Sequence, residues 1–119
     1  MFTVLTLYHN PQDEKCKQVL ALLEDEGVEV KVINYLKMGL TRDEAERLLV
    51  KLNYPDPMMA LRTEEEDYKA LGLASKKLSR GEVAEILHKH PRLLVRPLVM
   101  RDQKIIVADP PKRVLELLD

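Results

Sequence analysis

The first 33 residues contain two apolar segments separated by an amphipathic one, and this arrangement restricts the folds open to the chain. Residues 2–7 (FTVLTL) are almost all apolar or β-branched, which is typical of a buried strand. Residues 14–26 carry apolar side chains at helical spacing, and residues 28–33 (VEVKVI) again favour a strand. A strand, a helix and a strand this close together predict a βαβ unit with parallel strands and a right-handed crossover.

The turn between the first strand and the helix combines a capping residue with the only cysteine of the chain. Asp13 is a strong candidate for the N-cap, since its carboxylate can accept from the free N–H groups of the first helical turn. Gly27 is expected to end the helix. The spacing predicts an apolar stripe that faces the core: Cys16, Val19, Leu20 and Leu23.

The middle of the chain, about residues 41–90, predicts a block of short helices. Thr41 with Glu44 and Ser79 with Glu82 each have the spacing of a capping box. Residues 64–71 form a shorter helical segment that stops at Gly72. Each helix is too short to hold a core alone, so the block is interpreted as an insertion. The expected inward side chains are Ala45, Leu48, Leu49 and Leu52 in one helix and Val83, Ile86 and Leu87 in another.

Strand character returns in the last third of the chain. Residues 93–100 and 104–107 flank the polar turn 101–103, which indicates a β-hairpin. Pro110 and Pro111 then begin a final helix. Its apolar positions are Val114, Leu115 and Leu118. The element order predicts an α/β fold: one thioredoxin-like βαβ–ββα domain over residues 1–119, with a mixed sheet and an inserted helical block.

The composition excludes several classes of function. A net charge of −1, with acidic and basic residues interspersed, argues against direct binding of nucleic acid. No apolar run approaches the roughly 20 residues of a membrane span, and the N-terminus lacks the layout of a signal peptide. One cysteine cannot form an internal disulfide, which favours a reducing cytoplasm. The scattered histidines predict no metal site, because His88 and His90 point to different sides of a helix.

Several segments, in order along the chain, resemble the arsenate reductase family of the glutaredoxin-coupled, thioredoxin-fold type. They are YHNP, TRDEAERLL, ALR followed by DYKALGLA, and HPRLLVRPLV. The Spx-type transcription regulators share that fold. The resemblance covers essentially the whole chain, and it implies the same fold as the element order.

The resemblance also assigns the reacting positions. Family members carry a nucleophilic cysteine two residues after the Asn-Pro pair, and that position is Asp13 here. Some members have a second cysteine three residues later, and that position is Cys16. The motif therefore reads D-x-x-C.

Anion-binding groups follow from the same resemblance. Three arginines hold the oxyanion in arsenate reductases, and Arg62 and Arg96 match two of them. The third position is Asp109, although Arg101 or Arg113 lies near enough in sequence to be considered as a substitute. His9 is expected to anchor the turn beside the anion site. The resemblance implies a cis peptide bond at Pro97.

These substitutions change the chemistry that the site can perform. Arsenate reduction requires two electrons. Thiols can supply them, but the carboxylate of Asp13 cannot. Asp13 would also repel an oxyanion, by roughly 4 kcal/mol at about 4 Å and an effective dielectric of 20. A helix start favours a thiolate at Cys16. Burial and Asp13 disfavour one, so an inert thiol is expected.

Three functions remain open at this point. The preferred interpretation is a divergent family member with little or no reductase activity that acts as a binding or regulatory module for a protein partner. The alternative is an active oxidoreductase that uses Cys16, with glutathione or glutaredoxin as electron donor and no bound cofactor. A third is a pocket that binds a small oxyanion or glutathione without turnover, through Arg62, Arg96 and the turn.

Overall fold

A computed structural model describes residues 4–118; Phe2 and Thr3 of the predicted first strand lie outside the described residues. The strands are β1 (Val4–Tyr8), β2 (Glu29–Ile33), β3 (Leu98–Arg101) and β4 (Lys104–Val107). The α-helices are α1 (Glu14–Asp25), α2 (Tyr35–Met38), α3 (Arg42–Leu52), α4 (Glu66–Ala70) and α5 (Arg80–Lys89). Short 3₁₀ helices cover Pro57–Ala60, Leu73–Ser75, Pro91–Leu93 and Pro111–Leu117.

The chain divides into two compact units. Residues 1–38 and 96–119 form the first, here called the sheet unit. Residues 39–95 form the second, here called the helical unit. The assignment of residues 1–119 to one domain stays a prediction.

The sheet unit contains one four-stranded mixed sheet in the order β2-β1-β3-β4. β1 and β2 are parallel, with Leu5 opposite Val30 and Leu7 opposite Val32. β3 is antiparallel to both β1 and β4. The predicted βαβ unit and the α/β mixed sheet are therefore confirmed.

The core of this unit lies on one face of the sheet. Its buried members are Leu5, Leu7, Val19, Leu23, Val99, Ile106, Ala108, Val114 and Leu117. Leu20, expected to be buried, is only half-buried.

The prediction for the last helix is corrected. The segment is 3₁₀, so side chains three residues apart align, and Val114 and Leu117 are the buried pair. Leu115 is exposed and Leu118 is half-buried.

The helical unit is organised by two helices with matching N-termini. Thr41 and Ser79 both form the predicted capping boxes, with Glu44 and Glu82 respectively. The two helices pack on each other. Their buried residues are Ala45, Leu48 and Leu49 in α3, and Val83, Ala84 and Leu87 in α5. Leu52 and Ile86, expected to face inward, are half-buried.

The predicted strand over residues 93–100 is shorter in the structure and starts at Leu98. The residues before it direct their N–H groups elsewhere: Leu94 donates to Pro91 at 3.1 Å and Val95 donates to Ala60 at 3.0 Å. Pro97 has no N–H to give. Among residues 4–118, none of the helices has the length and apolar content needed to cross a bilayer.

Candidate functional site

The turn between β1 and α1 is fixed by hydrogen bonds along its length. The His9 N–H donates to the Ile33 carbonyl at 2.8 Å, which continues the β1–β2 pairing into the turn. The Asn10 side chain accepts from the Gln12 N–H at 3.0 Å, and the Asn10 carbonyl accepts from the Asp13 N–H at 3.0 Å. His9 and Asn10 are both buried. The turn therefore places Asp13 at the start of α1 in a defined orientation.

Asp13 uses both carboxylate oxygens. Oδ2 accepts from the Cys16 N–H at 3.0 Å, so the predicted N-cap is confirmed. Oδ1 lies 3.3 Å from Nε of Arg96, within ion-pair range although Nε itself does not meet hydrogen-bond geometry. The two side chains are only 14% and 10% exposed, for Asp13 and Arg96 respectively. This ion pair is thus largely withdrawn from water.

The surroundings of Asp13 keep it ionised. Burial alone would raise its pKa, but the hydrogen bonds from the Cys16 backbone and thiol and the charge of Arg96 outweigh burial. The net result is a pKa of Asp13 below its ordinary value. A negative charge therefore lies at the start of α1 at neutral pH.

Cys16 is fully buried on the core side of α1. Burial raises the pKa of its thiol to about 12, against an opposing contribution from the Asn10 backbone N–H. The same net value of about 12 includes Asp13, which raises the pKa by accepting from the thiol and by its charge, and Arg96, which lowers it. At neutral pH the thiol is protonated, and a protonated thiol is a poor nucleophile.

His9 lies beside these groups as a neutral ring. Burial lowers its pKa, Asp13 opposes that effect, and Lys17 adds to it. Within residues 4–118, its Nδ1 has no hydrogen-bond partner. A neutral imidazole offers an anion no positive charge, so the predicted role of His9 in anion binding would depend on its hydrogen bonds alone.

Arg62, the other predicted anion ligand, belongs to the helical unit. Its guanidinium lies 3.1 Å from the carboxylate of Glu64 and 3.4 Å from that of Glu65, with the Arg62 side chain 19% exposed. Its backbone N–H donates to the Leu93 carbonyl at 2.7 Å. Each of the two predicted anion-binding arginines is therefore close to a carboxylate of its own unit.

A contact that sequence reasoning missed connects the start of α1 to the segment before the last helix. Lys15 Nζ donates to Asp109 at 2.8 Å, with the side chains 50% and 46% exposed. The partners lie 94 residues apart, and no local pattern signals such a pair. Asp109 occupies the third arginine position of the resemblance, and its charge is balanced by Lys15.

The two candidate substitutes for the missing arginine have other partners. Arg101 donates to the Leu117 carbonyl at 2.6 Å. Arg113 pairs with Glu116 at 3.2 Å and donates to the Val107 carbonyl at 3.3 Å. These contacts attach both side chains to the C-terminal part of the sheet unit.

Two cis prolines follow residues of this region. The Arg96–Pro97 bond is cis, the geometry that the resemblance implied, and so is Asp109–Pro110. The residues before them, Arg96 and Asp109, are the two that pair with Asp13 and Lys15. Within residues 4–118, no group of three or more His, Cys, Asp or Glu side chains is arranged to hold a metal ion.

Comparison with known proteins places this chain in a family. The family model described as "ArsC family" matches residues 8–117. The arsenate reductase of Haemophilus influenzae is 35% identical over 112 residues, which cover 94% of this chain and 97% of that protein. The arsenate reductase of Escherichia coli K12 is 32% identical over 96% of this chain and 80% of its own.

A solved structure is also similar. The arsenate reductase from Vibrio cholerae superposes with a TM-score of 0.92 at 34% identity, over 99% of this chain and 100% of the other. Sequence, length and fold agree over nearly the whole chain.

Proposed function

The chain belongs to the ArsC family, and we propose that it is a divergent member with little or no arsenate reductase activity. The observation that carries the proposal is the ion pair between Arg96 and Asp13, the N-cap residue of α1. An arginine and a free N–H at a helix start are the donors that an oxyanion uses. Here the chain's own carboxylate accepts from the Cys16 N–H and forms an ion pair with Arg96.

The state of Cys16 supports the same conclusion. A reductase of this kind needs a thiolate to deliver electrons, and Asp13 is no replacement because a carboxylate does not supply them. Cys16 is buried and its thiol pKa is raised to about 12. At pH 7 a thiol with a pKa so far above the pH is almost entirely protonated.

Electrostatic repulsion also weakens the binding of arsenate at this turn. An arsenate anion at this turn would meet the negative charge of Asp13, and it would have to displace that carboxylate from Arg96. Two like charges about 4 Å apart repel by roughly 4 kcal/mol at an effective dielectric of 20. Binding of a small oxyanion or of the glutathione carboxylates at this turn is therefore expected to be weak.

The family scaffold is otherwise complete, with its sheet, turn and helices in place. We assign this scaffold the role of a binding or regulatory module that acts on a protein partner. The alternative, a reductase that draws on glutathione or glutaredoxin through Cys16, requires a reactive thiol at that position.

The test is arsenate turnover by the purified protein with glutathione and glutaredoxin. We expect the wild type to consume arsenate no faster than a protein-free control. Saturable turnover by the wild type that disappears in Cys16→Ser would overturn the proposal and establish the alternative.

A second variant identifies which change removed the activity. Asp13→Cys puts a thiol where the family has its nucleophile, and it should gain measurable turnover over the wild type. If Asp13→Cys stays inactive while Asp13→Cys with Asp109→Arg gains turnover, the lost third arginine contributes as much as the lost thiol.

A further inference from the structure

The helical unit contains a cavity of about 280 Å³ where the C-terminal end of α3 meets the start of α5. Four of its lining side chains are apolar or aromatic: Leu49, Pro57, Leu78 and the ring of Tyr54. Its polar edge is formed by Asn53, Ser79 and Arg80. All of these residues lie within residues 39–95, so the cavity is a property of this unit alone.

Two of the three polar groups are available to a ligand. The Ser79 hydroxyl is committed to the helix cap, since it accepts from the Glu82 N–H at 3.3 Å. In the part of the chain that the structure describes, no ion pair or hydrogen bond involves the Arg80 guanidinium or the Asn53 amide. Among the described residues, the Arg80 guanidinium and the Asn53 amide at this cavity therefore have no protein partner.

Asn53 has a structural reason to be where it is. It caps α3 with φ 50° and ψ 40°, in the left-handed region that asparagine tolerates better than most residues. Glycine would satisfy that backbone equally well. The amide is thus not needed for the turn, and it is free to contribute a donor at the cavity edge.

Among the residues that line the cavity, Arg80 is the charged one, and its charge favours an anion. A local excess of one sign attracts ligands of the other sign and orients them as they approach.

We propose that this cavity binds a small organic monocarboxylate. The apolar body lies against Leu49, Pro57 and Leu78, and the carboxylate meets the Arg80 guanidinium and the Asn53 amide. At the liquid volume of water, about 30 Å³ per molecule, the cavity has the volume of about nine water molecules, which is enough for a ring with one carboxylate. Benzoate has that size. Phosphate and sulfate fit less well, because they have no apolar part to lie against these side chains.

The proposal is independent of the state of Cys16 and Asp13. It concerns residues of the helical unit only, and it holds whether or not the protein reduces arsenate. Shifts at residues 49–57 and 78–80 report on the cavity, whereas shifts at residues 9–16 report on the turn.

The test is an NMR titration of the full chain with sodium benzoate, observed through backbone amide shifts. We expect saturable shifts at residues 49–57 and 78–80, with a Kd on the order of 1 mM for so small a ligand. Benzyl alcohol, which has the same ring without the charge, should bind at least threefold more weakly. Inorganic phosphate should give no saturable shift at these positions.

Matched variants separate a built site from a general positive field. Arg80→Gln should weaken benzoate binding about threefold to fivefold, the effect expected for an exposed ion pair. Asn53→Gly keeps the left-handed cap and removes the amide, and it should also weaken binding. Lys76→Gln removes the same charge nearby without touching the cavity, and it should leave the Kd within twofold of the wild type.

The result that overturns the proposal is equally specific. An absence of saturation by benzoate, or equal weakening in Arg80→Gln and Lys76→Gln, would show that the cavity is not a carboxylate site. Arg80 is exposed and lies outside the core. An unchanged amide spectrum in Arg80→Gln therefore serves to show that the variant is folded.

Discussion

The starts of α1 and α5 are both capped by a side chain, but the two caps do different things. At α5, Ser79 accepts from the Glu82 N–H at 3.3 Å and Glu82 accepts from the Ser79 N–H at 3.1 Å. The partners are three residues apart and exposed, so the cap is local. At α1, Asp13 accepts from the Cys16 N–H and also approaches Arg96.

The difference lies in the number of acceptors. A hydroxyl has one oxygen and no charge, whereas a carboxylate has two oxygens and a negative charge. When one carboxylate oxygen caps the helix, the other can still pair with a cation. Asp13 pairs with a largely buried arginine far away in the sequence. The same helix-capping function therefore becomes part of a buried electrostatic network at α1 and remains a surface feature at α5.

The comparison is tested first by deleting each cap. Asp13→Ala should lower the free energy of unfolding by about 3 kcal/mol, because it removes a cap and leaves Arg96 buried without this partner. Ser79→Ala should cost only about 1 kcal/mol, since it removes a cap alone. Urea denaturation of both variants gives the two values, and equal costs would contradict the distinction.

The pH dependence of stability separates the charge of Asp13 from its cap. The pKa of Asp13 is lowered in the folded protein, so its contribution is present above the unfolded value of 3.8 and is lost as pH falls below it. Asp13→Asn keeps a capping side chain and loses the ion pair, at a cost of about 2 kcal/mol at pH 7.

That cost should shrink as the pH falls from 3.8 through the lowered pKa of folded Asp13, because protonation of Asp13 removes the same ion pair from the wild type. Urea denaturation at pH 7 and at pH 3 measures both values. Glu82→Gln provides the control at α5: Glu82 also has a lowered pKa, but it is fully exposed. A cost of Asp13→Asn that does not change with pH would show that the ion pair contributes nothing.

Added sulfate or phosphate should stabilise Asp13→Ala more than Ser79→Ala. In Asp13→Ala the Cys16 N–H and the Arg96 guanidinium lose the Asp13 carboxylate, and sulfate or phosphate can bind in its place, as anions do at a helix start. At an anion concentration about five times its Kd, binding restores about 1 kcal/mol of stability. Ser79→Ala serves as the control for general salt effects, and the same gain in both variants would count against a specific site.

The smallest effect is expected at the exposed pair that also involves the start of α1. Lys15 and Asp109 are about half exposed, so their ion pair contributes at most about 0.5 kcal/mol. Lys15→Ala should change the free energy of unfolding by no more than that, and the change should vanish in high salt. A cost comparable to that of Asp13→Ala would mean that burial does not set the ranking.

Much of the fold follows from local patterns in the chain. The three helix caps at Asp13, Thr41 and Ser79 are each read from a residue and its neighbour three positions later. The βαβ unit follows from the order of the first elements, because a helix between two neighbouring strands supplies the long crossover that parallel strands need. Such features depend on nearby residues, and nearby residues are what a sequence displays.

The parts that sequence reasoning missed depend on distant residues or on subtle backbone geometry. The Lys15–Asp109 pair joins positions 94 residues apart, and the approach of Arg96 to Asp13 likewise needs the folded sheet. The last helix has the apolar composition of an α-helix, but its 3₁₀ backbone buries Leu117 in place of Leu118. β3 is shorter than the predicted strand because the residues before Leu98 direct their N–H groups elsewhere.

The central claim is that Asp13 and burial hold the Cys16 thiol protonated in the folded protein. The most direct measurement is the Cys16 ¹³Cβ chemical shift as a function of pH, which reports the folded state itself and not rare open forms. The account predicts no titration of this carbon below pH 10, in keeping with a thiol pKa raised to about 12. A midpoint below the model-peptide value of about 8.5 would contradict it and make Cys16 a candidate nucleophile.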